Sequence, residues 1–228
     1  MVSTPPPARP ALRLLIVDGD ELLADTLAMA LSQQGLETVT APGSSAQAVV
    51  DLAGQLAPVL VLLELDLRPG LGDGLQLIGP LIEAGSRVVV VTRVTDRARL
   101  GASLEAGAMG LFPKTSGFEQ LLAALRRVSA GSPLLSDDDR EGFLVELRQR
   151  QRADRERLAP FEALSPREQA VLAGLVAGEA AGTIADRSCV SLATVRSQIR
   201  AVLRKLGVTS QRAAAALARE AGWSSSNL

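Results

Sequence analysis

Six side chains able to carry charge or move a proton stand at the ends of short apolar runs. LLIVDGD ends on Asp18 and Asp20, LVLLELD on Glu64 and Asp66, VVVVT on Thr92 and GLFPK on Lys114. Two carboxylates two residues apart, as in Glu64 and Asp66, suggest an acid–base pair. Taken together, carboxylates, a hydroxyl and one ammonium suit a pocket for a cation or a phosphoryl group. The plainer alternative for any single acid is a solvated turn residue.

Other chemistries fall away on inventory. The 228 residues include no histidine and a single cysteine, Cys189. A zinc or haem site, a Cys–His couple and a Ser–His–Asp triad therefore lack their parts, as does a disulfide framework. Cys189 reads as a packed thiol in a turn. The opening MVSTPPPARPA lacks the apolar core of a secretory signal, and no stretch has eighteen uninterrupted apolar residues. The expectation is a cytoplasmic protein without a membrane span. At 47% apolar and 21% charged, the chain can bury a core built from Leu, Val, Ala and Ile. Charge is uneven: residues 161–228 carry 8 basic and 5 acidic side chains, about +3, a weak pointer to nucleic acid.

What must position the six residues is legible in the hydrophobic pattern. Apolar runs at 12–18, 36–41, 59–65, 86–92 and 109–113 alternate with stretches whose apolar residues recur at helical spacing. Examples are Leu23, Leu27, Ala30 and Leu31; Leu100, Leu104 and Ala108; and Leu121, Leu122, Leu125 and Val128. Five strands alternating with helices imply an α/β, doubly wound, five-stranded parallel sheet. Right-handed crossovers put every strand's C-terminal end on one edge, where such sheets build their sites. Asp18, Asp20, Glu64, Asp66, Thr92 and Lys114 are thus expected to converge there.

The remainder is helical. SDDDREGFLVELRQRQRADRERL, 136–158, has Ser136 as a cap, three Asp in its first turn and Arg later, with a thin stripe of Phe143, Leu144, Leu147 and Leu158. It reads as a solvated connector or a helical contact between two chains. Beyond it, Ser165, Pro166 and Glu168 form a capping box ahead of a helix that Gly178 stops. A short helix, a Ser191-capped helix over about 192–206 and SQRAAAALAREAG complete an all-α, four-helix helix-turn-helix domain. The expected organisation is a disordered tail at 1–11, the α/β domain at 12–131, a charged helical linker at 132–160 and the helix-turn-helix domain at 161–228.

Both domains resemble known families. Residues 164–222 are similar to LuxR-type DNA-binding domains through Leu164-Ser165-Pro166-Arg167-Glu168, Ile184-Ala185, Thr194-Val195-Arg196 and Leu203-Arg204-Lys205-Leu206-Gly207-Val208. Residues 12–130 resemble the receiver domain of two-component response regulators, through LLIVD, APVLVLLEL, VVVVT with Thr92 and LEAGAMGLFPK with Lys114. Together they look like a NarL-type response regulator. The resemblance implies double-stranded DNA as partner and a homodimer, and it leaves a histidine kinase open. It implies a transcription regulator, not an enzyme. It also places the third helix in the major groove, with Thr194, Arg196, Ser197, Gln198 and Arg200 toward the bases and Arg204 and Lys205 toward phosphates. Val195, Ile199, Val202, Leu203 and Leu206 face the core.

The receiver departs from the family pattern. The acidic pair after the first strand reads Asp18-Gly19, with Asp20 displaced by one. The phosphoacceptor position falls on Glu64, and the loop after it is about two residues longer. Leu111 takes the aromatic switch position. Phosphorylation needs Mg²⁺ held by several oxygens and a carboxylate placed for in-line attack. Glu64 carries its carboxylate about 1.5 Å further out, and a 1 Å misplacement can cost about a hundredfold in rate. The expectation is an atypical receiver independent of aspartate phosphorylation, with Mg²⁺ binding weak or absent and no other metal or cofactor. Two alternatives stand beside it: a receiver that senses a small molecule or anion, and a conventional regulator phosphorylated on Asp66.

Overall fold

The computed structural model describes residues 13–224 except 42, 44, 58 and 59. The disordered tail expected at 1–11 lies outside the described residues. The chain forms two compact units that divide between Arg148 and Gln149.

In the first unit the five apolar runs become strands: β1 (Arg13–Val17), β2 (Glu37–Thr40), β3 (Leu60–Leu63), β4 (Arg87–Thr92) and β5 (Gly110–Pro113). They pair in parallel in the order β2-β1-β3-β4-β5. The helices are α1 (Glu21–Gln33), α2 (Ala46–Leu56), α3 (Gly74–Glu83), α4 (Arg97–Glu105) and α5 (Phe118–Ser129).

Strand side chains alternate between two faces, so one apolar run feeds two cores. Leu15, Val17, Val61, Leu63, Val88 and Val90 pack under α2, α3 and α4, with Val49, Ile78, Leu81 and Leu100. Leu14, Ile16, Leu60, Leu62, Val89 and Val91 pack under α1 and α5, with Leu31, Leu121, Leu122 and Leu125. Leu111 joins the first layer and Phe112 the second.

The charged helix, α6 (Asp137–Glu162), starts where Ser136 caps it: the Ser136 Oγ accepts from the Asp139 amide at 3.1 Å. It ends four residues later than its expected limit, running through Pro160. The reason is packing. Phe161 is buried with Leu158 in the core of the second unit, and that burial holds the last turn despite the hydrogen bond a proline forfeits. At its other end Leu147 is 6% exposed. Arg140 donates to the Leu104 and Ala108 carbonyls at 3.0 and 3.4 Å, and Arg97 lies 4.4 Å above the Phe143 ring. Gly101 makes this possible. A Cβ there would overlap the Phe143 carbonyl oxygen and lie 3.1 Å from the Leu147 Cβ. Solvent covers mainly the middle of the helix, about 149–157.

The second unit holds α7 (Pro166–Val176), α8 (Ala181–Arg187), α9 (Leu192–Lys205) and α10 (Gln211–Glu220). Its core joins Phe161, Leu172, Val202, Ala214, Ala218 and Trp223, with the Phe161 and Trp223 rings stacked 5.7 Å apart. Cys189 is exposed, not packed, with φ +52°, the one described non-glycine residue with positive φ. The α8–α9 turn needs a left-handed residue at that point, and this turns the thiol away from the core.

Candidate functional site

The C-terminal ends of β1, β3, β4 and β5 bring four of the six predicted residues into contact. Asp18, Glu64 and Thr92 follow or end buried strand segments, and Lys114 follows the half-buried β5, so the strands fix their positions. The Lys114 ammonium lies 2.5 Å from Asp18 Oδ2 and 2.6 Å from Glu64 Oε2. All three side chains are under 10% exposed.

Glu64 is engaged through both oxygens. Its Oε1 accepts from the Leu65 amide at 2.7 Å and the Asp66 amide at 3.2 Å, and from the Thr92 hydroxyl. Its Oε2 takes the Lys114 ammonium. Two backbone amides, a hydroxyl and an ammonium converge on one carboxylate, a set of donors suited to a bound anion. The longer side chain delivers that anion from within the protein.

Asp20 and Asp66 line the same cavity, of about 280 Å³, but play other parts. Asp20 caps α1, accepting from the Leu23 amide at 3.1 Å. Asp66 binds the Arg99 guanidinium at 2.6 Å, and the same guanidinium holds Asp73 at 3.0 Å and donates to the Leu65 carbonyl at 3.2 Å. Arg99 went unnoticed in the sequence because α4 carries it 33 residues beyond Asp66. It clamps the loop after β3 at both ends, where Asp66 and Asp73 also bridge. Burial opposes the charge of Arg99, but its hydrogen bonds to Asp66 and Asp73 outweigh that and raise its pKa above the usual arginine value. Gly74 closes the loop: a Cβ there would overlap the Glu64 carbonyl oxygen, so no larger residue fits.

Gly19 has a spatial role too. A Cβ on it would stand 3.2 Å from the Arg68 amide and the Asp66 carbonyl. The lengthened loop lies across the place where a side chain at 19 would begin. The Mg²⁺ implied by the receiver resemblance finds no donor set here. Gly19 offers no carboxylate, Asp18 and Glu64 share the Lys114 ammonium where a metal would otherwise draw on them, and Asp20 is turned to a helix end. Among the described residues no cluster of three His, Cys, Asp or Glu could hold a metal.

In the second unit Ser165 and Glu168 form the reciprocal capping box of α7. Glu168 also binds Lys205 at 2.6 Å, and Lys205 donates to the Ala163 carbonyl at 2.9 Å. The Lys205 hydrogen bond, joined by the Ser165 bonds, holds the Glu168 carboxyl below its ordinary value near 4.5 against the effect of burial. Lys205 is thus tied into the domain. Ser191 caps α9, accepting from the Thr194 amide at 3.1 Å. Val195, Ile199 and Val202 are buried on one side, with Leu203 and Leu206 packed beside them. Thr194, Arg196, Ser197, Arg200 and Arg204 are exposed and Gln198 half-buried. Among the described residues Arg196, Arg200 and Arg204 meet no carboxylate, so α9 presents an uncompensated basic face.

Comparison with known proteins covers both units. A family model described as "Response regulator receiver domain" matches residues 14–126, and one described as "Bacterial regulatory proteins, luxR family" matches residues 162–218. The nitrate/nitrite response regulator protein NarP of Escherichia coli (strain K12) is 33% identical over 208 residues, covering 90% of this chain and 93% of that protein. Response regulator GacA of Pseudomonas aeruginosa is 28% identical, covering 87% and 91%. A solved structure of the two-component response regulator RcsB in complex with DNA shares the fold at 21% identity and a TM-score of 0.50, covering 92% of this chain and 98% of that one.

Proposed function

The chain belongs to the response regulators that carry a luxR-family DNA-binding domain, and on that premise we propose that its receiver is set by Glu64 and does not run on aspartate phosphorylation. It is a DNA-binding transcription regulator. The observation that carries the proposal is the engaged Glu64 carboxylate, whose Oε1 takes two backbone amides and the Thr92 hydroxyl and whose Oε2 takes the Lys114 ammonium. Lys114 and Thr92, the cation and hydroxyl that would steady an incoming phosphoryl group, are already spent on this carboxylate.

The alternatives draw less support. Asp66 is exposed in the loop and paired with Arg99, and neither Thr92 nor Lys114 contacts it to steady a phosphoryl group. An exogenous anion in the 280 Å³ cavity would meet four carboxylates, Asp18, Asp20, Glu64 and Asp66, against Arg68, Arg93 and Lys114, of which Arg68 and Lys114 are already paired. The protein acts by binding, in the cytoplasm, as a homodimer on paired half-sites about one helical turn apart. Its domain charge of about +3 is small for a monomer binding alone. Arg196, Arg200, Thr194, Ser197 and Gln198 read bases, and Arg204 contacts phosphate. Lys205 contributes mainly by holding α9 to Glu168.

The test is to select genomic fragments with untreated protein, then repeat with acetyl phosphate and Mg²⁺ while recording intact mass. Retention of the same fragments at equal affinity, with no added mass, is expected. A stoichiometric gain of one phosphoryl group with tighter DNA binding overturns the reading.

A further inference from the structure

Beside the Glu64 site a second cavity, of about 330 Å³, opens between α1, α5 and the ends of β4 and β5. Its body is apolar, formed by Leu23, Leu27, Val91, Phe112, Phe118 and Leu121. Four of these, Leu23, Leu27, Phe112 and Phe118, are only half-buried, so the layer under α1 and α5 leaves large apolar surfaces part-open. The volume is that of a small-molecule site, about 300–1,000 Å³.

One end of this cavity is cationic. Arg93 lines it, is exposed, and among the described residues pairs with no carboxylate. α5 begins at the same end, and its N-cap, Gly117, makes no side-chain hydrogen bond. Gln120 donates to the Gly117 carbonyl, so the Phe118 and Glu119 amides are the unspent donors beside Arg93, and they must outweigh the Glu119 carboxylate in the same turn. Lys114 also reaches the wall but is already shared by Asp18 and Glu64. Asp18 stands on the same wall. Its charge disfavours a dianion there and leaves room for a single negative group near Arg93.

We propose that this cavity binds a small amphipathic monoanion, an apolar body lodged between α1 and α5 with its carboxylate held by Arg93 and the α5 N-terminus. Because Lys114 lines both cavities, a bound carboxylate alters the field at the Lys114–Glu64 pair, and this links the ligand to the receiver's fixed switch residue.

Calorimetric titration of the full chain with sodium octanoate tests the site without DNA or a phosphodonor, so its outcome is independent of whether Glu64 replaces phosphorylation. One octanoate per chain is expected. Arg93→Gln should weaken it about tenfold, and Ala30→Trp, which fills the cavity from α1, should abolish it while far-ultraviolet circular dichroism stays unchanged. If Ala30→Trp does not fold, Leu27→Gln takes its place and should weaken binding at least tenfold. No saturable heat, binding unchanged in Arg93→Gln, or binding unchanged in the cavity variant that folds would each overturn the proposal.

Discussion

Lys114 stands between Asp18 and Glu64 at 2.5 and 2.6 Å, one ammonium for two buried carboxylates. The remaining negative charge is spread over the Leu65 and Asp66 amides and the Thr92 hydroxyl, all on Glu64. The arrangement is self-contained, which is why its parts are coupled.

Glu64→Ala removes one partner of this buried pair. The Lys114 ammonium keeps Asp18, so the loss should fall at the lower end of the about 3–5 kcal/mol typical of a broken buried ion pair. Denaturant unfolding of the first unit measures it. A change under about 1 kcal/mol would mean that the pair contributes little to the fold.

Gly101→Ala should destabilise, against the ordinary trend. Glycine in a helix interior gives up about 1 kcal/mol relative to alanine. Here the added methyl meets the Phe143 carbonyl and the Leu147 side chain, so α6 must move. A net loss of about 1–3 kcal/mol is expected, as for an overpacked core. Faster proteolysis near residues 143–148 should accompany it.

Glu168 gives the second unit an acid-labile contact. Its folded-state pKa is depressed, chiefly by the Lys205 hydrogen bond. The stabilisation is therefore complete above the unfolded value near 4.5 and fades as pH falls through the lower folded value. Glu168→Gln should cost about 1–3 kcal/mol at pH 7, and its gap from the wild type should close as the medium is acidified. Melting curves at pH 7 and below pH 4 compare the two.

Arg200→Ala should weaken binding to a selected site by about 1–3 kcal/mol and relax preference at one base position. Arg204→Ala should instead lower affinity for all sequences and reduce the salt slope by about one. Fluorescence anisotropy over a salt series separates the two. An Arg200 variant that loses only salt dependence would move that side chain from the bases to the backbone.

The sheet was legible because β1, β3 and β4 are near-continuous runs of Leu, Val and Ile with no competing helical period, and strand ends in a parallel sheet must meet. That logic located Asp18, Glu64, Thr92 and Lys114 from residue type alone. It failed for contacts that cross elements. Arg99 on α4 reaching Asp66, and Lys205 reaching Glu168, join positions with no shared period. The Phe143 and Leu147 contact with Gly101 was hidden for another reason: a sparse stripe on a charged helix resembles a solvated face until its partner is known. The helix also runs past its expected end at 158, because Phe161 has a core to enter.

Glu64 also changes what time means for this receiver. An acyl phosphate is a bond with a lifetime, and a regulator that uses one forgets its signal by hydrolysis. The carboxylate that Glu64 places among Lys114, Thr92 and two backbone amides is part of the polypeptide and does not decay. Under the proposed reading the memory of the switch is as long as the life of the chain, and it is reset only by making or degrading copies or by what binds beside Lys114.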